Sequence, residues 1–253
     1  MKYLKCFQEK KVFTSNYVVQ LVGCENTAKS ILYDYKKNNY IDSVHRGLYV
    51  ALDLVTGNPI ANRYEIGSAI NEDAYISFHS ALEYYGLSNQ VFNAVKVSTK
   101  QRFNAFEYDY VSYERTNINI QSGIITPLRT PLVRVTDVER TIVDCFHDID
   151  RAGGLDELME ALHLVFSVDE QKLFSYLSEY NQIFLWQKIG YIMSLLKVKI
   201  GISNDFLSLC KSKIHDKKQY LVWNTELKYE PDWKLYVPRN MDSLIFDGEI
   251  VNV

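Results

Sequence analysis

Much that could define a 253-residue chain is missing from this one. Its four cysteines, Cys6, Cys24, Cys145 and Cys210, are scattered and form no paired spacing, which argues against a disulfide framework or a zinc site and for a reducing cytosol. The five histidines are far apart, and none lies at metal-ligand spacing from a cysteine. Lys2 and Lys5 are followed by no apolar core, so no signal peptide is expected. The most apolar late stretch, 189–202, is interrupted by Lys197 and Lys199, so no membrane span is expected. No serine sits in a Gly-x-Ser-x-Gly turn, and Gly153-Gly154 lacks the lysine and serine of a phosphate-binding loop. Repeats and low-complexity tracts are absent too. These absences leave a chain with no catalytic constellation, metal site or cofactor motif.

What is present describes an ordinary globular protein. Hydrophobic residues make up 47% and charged residues 23%, away from disordered compositions, and nineteen tyrosines and twelve phenylalanines supply large side chains for cores. The length suits two unequal domains. The formal charge of −3 is unevenly spread. Residues 1–53 hold eight Lys or Arg against five acids, net +3, while the remainder holds 20 against 26, net −6. A basic head on an acidic body has the sign expected of a nucleic-acid reader.

The head has a readable order of elements. A short helical start covers residues 3–8, and Thr14 or Ser15 caps a second helix to about Val22, broken by Gly23. Asn26 or Thr27 caps a third, with Ala28, Ile31, Leu32 and Tyr35 as its apolar face and Asn38-Asn39 as its stop. Two strands, 40–44 and 48–52, flank His45-Arg46-Gly47 as a hairpin. Helix, helix, turn, helix, hairpin is the plan of a winged helix-turn-helix. Its third helix would offer Asn26, Thr27, Ser30 and Tyr33 for neutral hydrogen bonding to double-stranded DNA. Lys29, Lys36 and Lys37 would neutralise phosphates, and Arg46 would sit at the wing tip.

Residues 54–62 contain Gly57, Asn58 and Pro59 and read as a linker. The expected fold is thus mixed α/β: a winged helix over 1–53, then a larger α+β domain over 63–253 whose C-terminal half is helical. In that domain Ser77 caps a helix ended by Gly86. Strands are expected at 94–99, 106–113, 123–127 and 132–135, and Thr136 or Asp137 starts a helix to Phe146. Leu155, Leu158, Met159, Leu162 and Val165 form one apolar face, with further helices near 169–180, 183–197 and 204–213. The stretch 220–237 alternates like a strand or two. Two carboxylate sets raise an alternative reading, a metal-dependent nuclease or nucleotidyltransferase: Gly67-Ser68 and Asp73 with Glu107 and Asp109, or Glu226 with Asp232. The first set is widely separated, and the second reverses the order of a nuclease centre. His79 is expected to be a hydrogen-bonded structural histidine.

The run from Ser77-Phe78-His79-Ser80-Ala81-Leu82 through Gly86-Leu87 to Val91 is followed by Ala94-Val95-Lys96-Val97-Ser98-Thr99. Then come Val135-Thr136-Asp137-Val138-Glu139-Arg140-Thr141-Ile142-Val143-Asp144 and Gly153-Gly154-Leu155-Asp156-Glu157. With Arg46-Gly47-Leu48-Tyr49 at the hairpin, this order resembles the AbiEi family, the antitoxin and transcriptional-regulator half of abortive-infection toxin–antitoxin systems. The resemblance covers most of residues 1–165. It implies a cytoplasmic autorepressor that binds operator DNA upstream of its own operon, where a palindromic operator would seat a dimer. It also implies a phage-defence antitoxin countering a cognate nucleotidyltransferase-like toxin, with added backbone contacts from Lys100 and Arg102.

Overall fold

Stacked rings close the N-terminal core. The computed structural model describes residues 2–118, 120–223 and 226–246. Phe7 of α1 (Leu4–Lys10) stacks on Phe13 of β1 (Val12–Thr14) with ring centroids 4.5 Å apart. Tyr35 of α3 (Glu25–Lys37) meets Phe7 edge-on at 5.3 Å, and its hydroxyl accepts the Tyr3 backbone N–H at 3.2 Å. Between them α2 (Ser15–Val22) is capped by the Thr14 side chain and ended by Gly23, whose φ of +77° suits glycine. The hairpin of β2 (Ile41–His45) and β3 (Leu48–Ala51) follows, and β1 adds antiparallel to β3.

The chain forms two compact units that cross its order: Met1–Ile76, Asn93–Ile118 and Thr126–Val135 in the first, and Ser77–Phe92, Asn119–Ile125 and Thr136–Val253 in the second. Residues 53–62 therefore lie inside the first unit. Asp53 closes a tight turn by accepting the N–H groups of Val55 and Thr56, and Leu52 bridges to Pro59. Helix α4 (Arg63–Ser68) then starts on a capping box, Asn62 accepting from the Glu65 backbone while the Glu65 carboxylate accepts from the Asn62 N–H. Gly67 presses on the sheet; a Cβ there would come within 2.8 Å of Ile76 Cδ1. Strands β4 (Tyr75–Ile76), β5 (Ala94–Ser98), β6 (Phe106–Tyr108), β7 (Val111–Thr116) and β9 (Val135–Thr136) are ordered β6-β7-β5-β4-β9. The 106–113 stretch is thus a hairpin rather than one strand. Asp109 and Tyr110 both take positive φ at its turn, which no glycine announces.

In the second unit, α5 (His79–Tyr84) begins after Phe78 at φ +54°, one residue later than Ser77 would cap it. Strand β8 (Ile124–Ile125) is short. The body is built from α6 (Val138–His147), α7 (Leu155–His163), α8 (Glu170–Tyr180), α9 (Ile183–Leu195), α10 (Lys197–Ile200), α11 (Asn204–Ser212) and α12 (Met241–Phe246). Leu155, Leu158, Met159 and Leu162 of α7, with Val165 just past its end, are buried in one core with Phe78, Leu82, Ile142, Phe146, Leu177 and Ile189. A small sheet, β10 (Gln219–Tyr220), β12 (Leu235–Pro238) and β11 (Leu227–Glu230), closes it in the order β10-β12-β11. Residues 224 and 225, within the stretch expected to alternate, lie outside the described residues. The fold is mixed α/β, as the sequence predicts.

Asp137 caps α6 by accepting the Arg140 N–H, as read, and also accepts from Tyr176 Oη at 2.7 Å and Lys172 Nζ at 3.1 Å. Arg140 is 1% exposed. Its Nε donates to Asp144 at 2.7 Å and its Nη1 to the Ser122 carbonyl at 2.6 Å, while Tyr180 also donates to Asp144. Thr141 donates to the Asp137 carbonyl. The Thr136-to-Asp144 motif is therefore a buried polar brace, with its charges paired as burial requires. His79 matches its structural reading: Nε2 lies 3.1 Å from Glu157, and the ring packs on Phe92 at 4.1 Å.

Candidate nucleic-acid interface

Helix α3 presents two unlike faces. Ala28 and Leu32 are buried, and Ile31 and Tyr35 pack partly against the same core. Asn26, Thr27, Lys29, Ser30, Tyr33, Lys36 and Lys37 are all exposed, Tyr33 at 69%. Asn26, Ser30, Tyr33 and Lys37 recur every three or four residues and so share one side of the helix. Neither expected cap residue sits at the helix start, however. Cys24 holds the N-cap position and Glu25 opens the helix. The Cys24 side chain makes no capping hydrogen bond, but the nearby Thr27 N–H, Thr27 hydroxyl and Asn26 N–H lower its thiol pKa.

The hairpin tip is fastened to the start of α2. The Ser15 N–H donates to the Gly47 carbonyl at 2.9 Å, and Gly47 has φ +76° with space for a Cβ only 3.3 Å from Ser15 Oγ. Arg46 beside it is exposed. Two of the three helix lysines already have partners: Lys29 with Glu25 at 2.7 Å and Lys36 with Asp42 at 3.7 Å. Such exposed pairs are weak and exchange readily for a phosphate.

A polar groove of about 580 Å³ lies next to α2, lined by Thr14, Asn16, Tyr17, Gln20, residues 68–72 and Gln101. Sequence reasoning missed Asn16, Tyr17, Gln20 and Gln101, because nothing local links residue 101 to residue 17. The 99–102 loop is held by Asp73, which accepts from Thr99 Oγ1 at 2.7 Å and from the Lys100 N–H at 2.8 Å. Arg115 donates to the Gln101 carbonyl at 3.2 Å. Lys100 and Arg102 on this loop are exposed and belong to the same compact unit as α3. That unit holds 15 Lys or Arg against 11 acids, net +4.

The carboxylate sets are not assembled. Ser68 hydrogen-bonds with the Arg134 backbone, Glu107 is exposed on β6, and Asp109 sits in the turn rather than on Glu107's strand face. Asp232 pairs with Lys211 at 2.8 Å. Among the described residues no three His, Cys, Asp or Glu side chains converge on a metal position, and no helix is long and apolar enough to cross a membrane.

Comparison with known proteins agrees with part of this picture. No curated protein matches. The chain is similar in structure to the crystal structure of the RV2827C protein from Mycobacterium tuberculosis, with a TM-score of 0.65 and 16% identity, covering 97% of this chain and 93% of that one. At that identity the likeness is one of fold. Residues 75–195 match the model of the AbiEi antitoxin C-terminal domain, which takes in the β4–β7 strands, the Asp137–Arg140–Asp144 brace and the helices to α9. Residues 75–195 thus carry the sequence of an AbiEi antitoxin C-terminal domain, which supports an antitoxin role in a toxin–antitoxin system.

Proposed function

We propose that the chain is an autorepressor as well as an antitoxin: residues 1–53 form a winged helix that binds operator DNA upstream of its own gene. In the same reading it acts by binding, not by catalysis, and counters a nucleotidyltransferase-like toxin encoded with it in phage defence. The observation that carries the DNA reading is the exposed row Asn26, Ser30, Tyr33 and Lys37 on α3, with Arg46 at the hairpin tip beyond it. A helix enters the major groove with such a face, its polar side chains reaching base edges and its cations reaching phosphates. The net +4 charge of the surrounding unit supplies the long-range attraction. Lys100 and Arg102 extend the basic surface toward the backbone, and a palindromic operator would seat two copies.

A gel shift with the upstream duplex tests the reading. Wild-type protein is expected to shift it, and neutralising Lys29 and Lys37 together is expected to weaken binding at least tenfold. No shift by the wild type, or unchanged affinity in the double variant, removes the helix assignment. Metal-dependent turnover of DNA or nucleotides, lost in Glu107→Ala or Asp232→Ala, would replace the whole reading with an enzymatic one.

A further inference from the structure

The small sheet of the second unit carries a row of aromatic rings outside the AbiEi domain match. Tyr220 and Tyr236 are register partners across β10 and β12, and Tyr229 and Tyr236 across β11 and β12. Their ring centroids lie 4.9 Å and 5.0 Å apart. Trp223 extends the row, stacked on Tyr220 at 4.2 Å and 20°. Leu221, Leu235 and Val237 are buried and anchor the sheet in the core. Trp233 locks against Gly190 of α9, where a Cβ would stand 2.2 Å from the indole. The platform is therefore firmly backed, yet Trp223 is 84% exposed, whereas Trp186 and Trp233 are each 5% exposed.

The charge around this row departs from the rest of the unit. The second unit as a whole carries 13 Lys or Arg against 20 acids, net −7. Residues 211–239 within it hold seven basic residues against four acidic ones, net +3. Lys218 Nζ sits 4.9 Å from the centre of the Tyr229 ring, and Lys217 precedes it on the exposed approach to β10. The exposed indole of Trp223, at the end of a stacked row flanked by lysines, suits a ligand that is both planar and anionic. Nucleobases stack on such rings whatever their sequence, and phosphates settle on the neighbouring cations. A duplex keeps its base faces stacked inside and could use only the lysines.

We propose that the Trp223–Tyr220–Tyr236–Tyr229 face, with Lys217 and Lys218, is a binding site for single-stranded nucleic acid, distinct from the duplex-reading helix of the first unit. The outer face of Trp223 takes a base, the stacked tyrosines hold the indole in place from behind, and the two lysines take neighbouring phosphates.

The test uses the full chain at low salt, with a 12-nucleotide oligouridylate and an oligodeoxyuridylate of the same length. Inorganic polyphosphate of matched charge serves as the base-free control. Intrinsic tryptophan fluorescence reads the site directly, since the exposed indole is Trp223. Saturable quenching by either oligomer, with none by polyphosphate, is expected, and the tighter oligomer identifies the preferred sugar. Trp223→Ala should abolish the quenching and weaken binding of a labelled oligomer by about tenfold. Trp223→Phe should recover most of the affinity. Neutralising Lys29 and Lys37 should leave oligomer binding intact, which separates this site from the operator site. The proposal is overturned if neither oligomer binds, if polyphosphate competes as well as the oligomers, if Trp223→Ala binds like wild type, or if binding disappears with Lys29 and Lys37.

Discussion

The two compact units differ in charge, in core and in what they leave at the surface. The first, net +4, buries modest cores behind short strands and exposes a polar helix face and groove. The second, net −7, is mostly helical, holds one extended apolar core and contains all three tryptophans. Its polar groups are spent internally, on Arg140, Asp144, Asp137 and His79. A surface that must meet a charged partner keeps its cations weakly paired, whereas a body that must hold shape desolvates and pairs them. The AbiEi match, residues 75–195, takes strands from one unit and helices from the other, so the family's sequence unit and the compact units of the fold do not coincide.

The sharpest way to break this contrast is to remove the brace. Arg140→Met leaves Asp144 buried with its main partner gone, and a loss of about 3–5 kcal/mol is expected. Urea unfolding followed by tryptophan fluorescence reports the second unit, and a loss under about 1 kcal/mol would mean that the brace is not structural. Gly190→Ala comes next. Alanine normally favours a helix interior over glycine, but the Trp233 ring occupies the space, so destabilisation of about 1–3 kcal/mol should outweigh the propensity gain. Equal or greater stability in that variant would show that Trp233 can move aside.

Lys188 sharpens the comparison through pH. Burial lowers its pKa to about 8, while Asp148 and Asp150 partly offset that effect. Between about pH 8 and the ordinary lysine range the unfolded chain binds more protons than the folded one. Stability should therefore rise with pH from 8 to about 9.5, by up to about 1 kcal/mol per pH unit. Below pH 8 both states hold the proton and the slope vanishes. Lys188→Met should flatten the curve, and a wild-type curve that falls over this window contradicts the burial assignment. The smallest effect concerns thiols. Cys24 in the first unit has a lowered pKa and is exposed, whereas burial raises Cys145 and pushes Cys210 up to about 12. Iodoacetamide should label Cys24 well before Cys145 or Cys210, as peptide mapping would show.

Local chemistry made much of the fold legible in advance. Thr14 and Gly23 bound α2, Asp137 caps α6, and the apolar face read from Leu155 to Val165 is buried. Other elements were missed for identifiable reasons. Strand β1 is three residues long, too short for alternation to register. Asn62 and Glu65 spelled a capping box, but the glycine and proline just before it favoured a linker. The Asp109-Tyr110 turn and the Phe78 cap rely on positive φ at residues that seldom adopt it. In the candidate site, exposure of the α3 face followed from helical spacing. The Lys29–Glu25 pair was readable at i,i+4, while Lys36–Asp42 and the approach of Gln101 to Tyr17 depend on tertiary packing.

The most direct test of the DNA reading is the salt dependence of operator affinity, compared between wild type and the Lys29→Ala/Lys37→Ala variant. Each phosphate contact removed should lower the slope of log K against log salt by about 0.9. The account predicts weaker binding and a slope shallower by about two in the variant. An unchanged slope would contradict it, placing the phosphate contacts elsewhere on the chain.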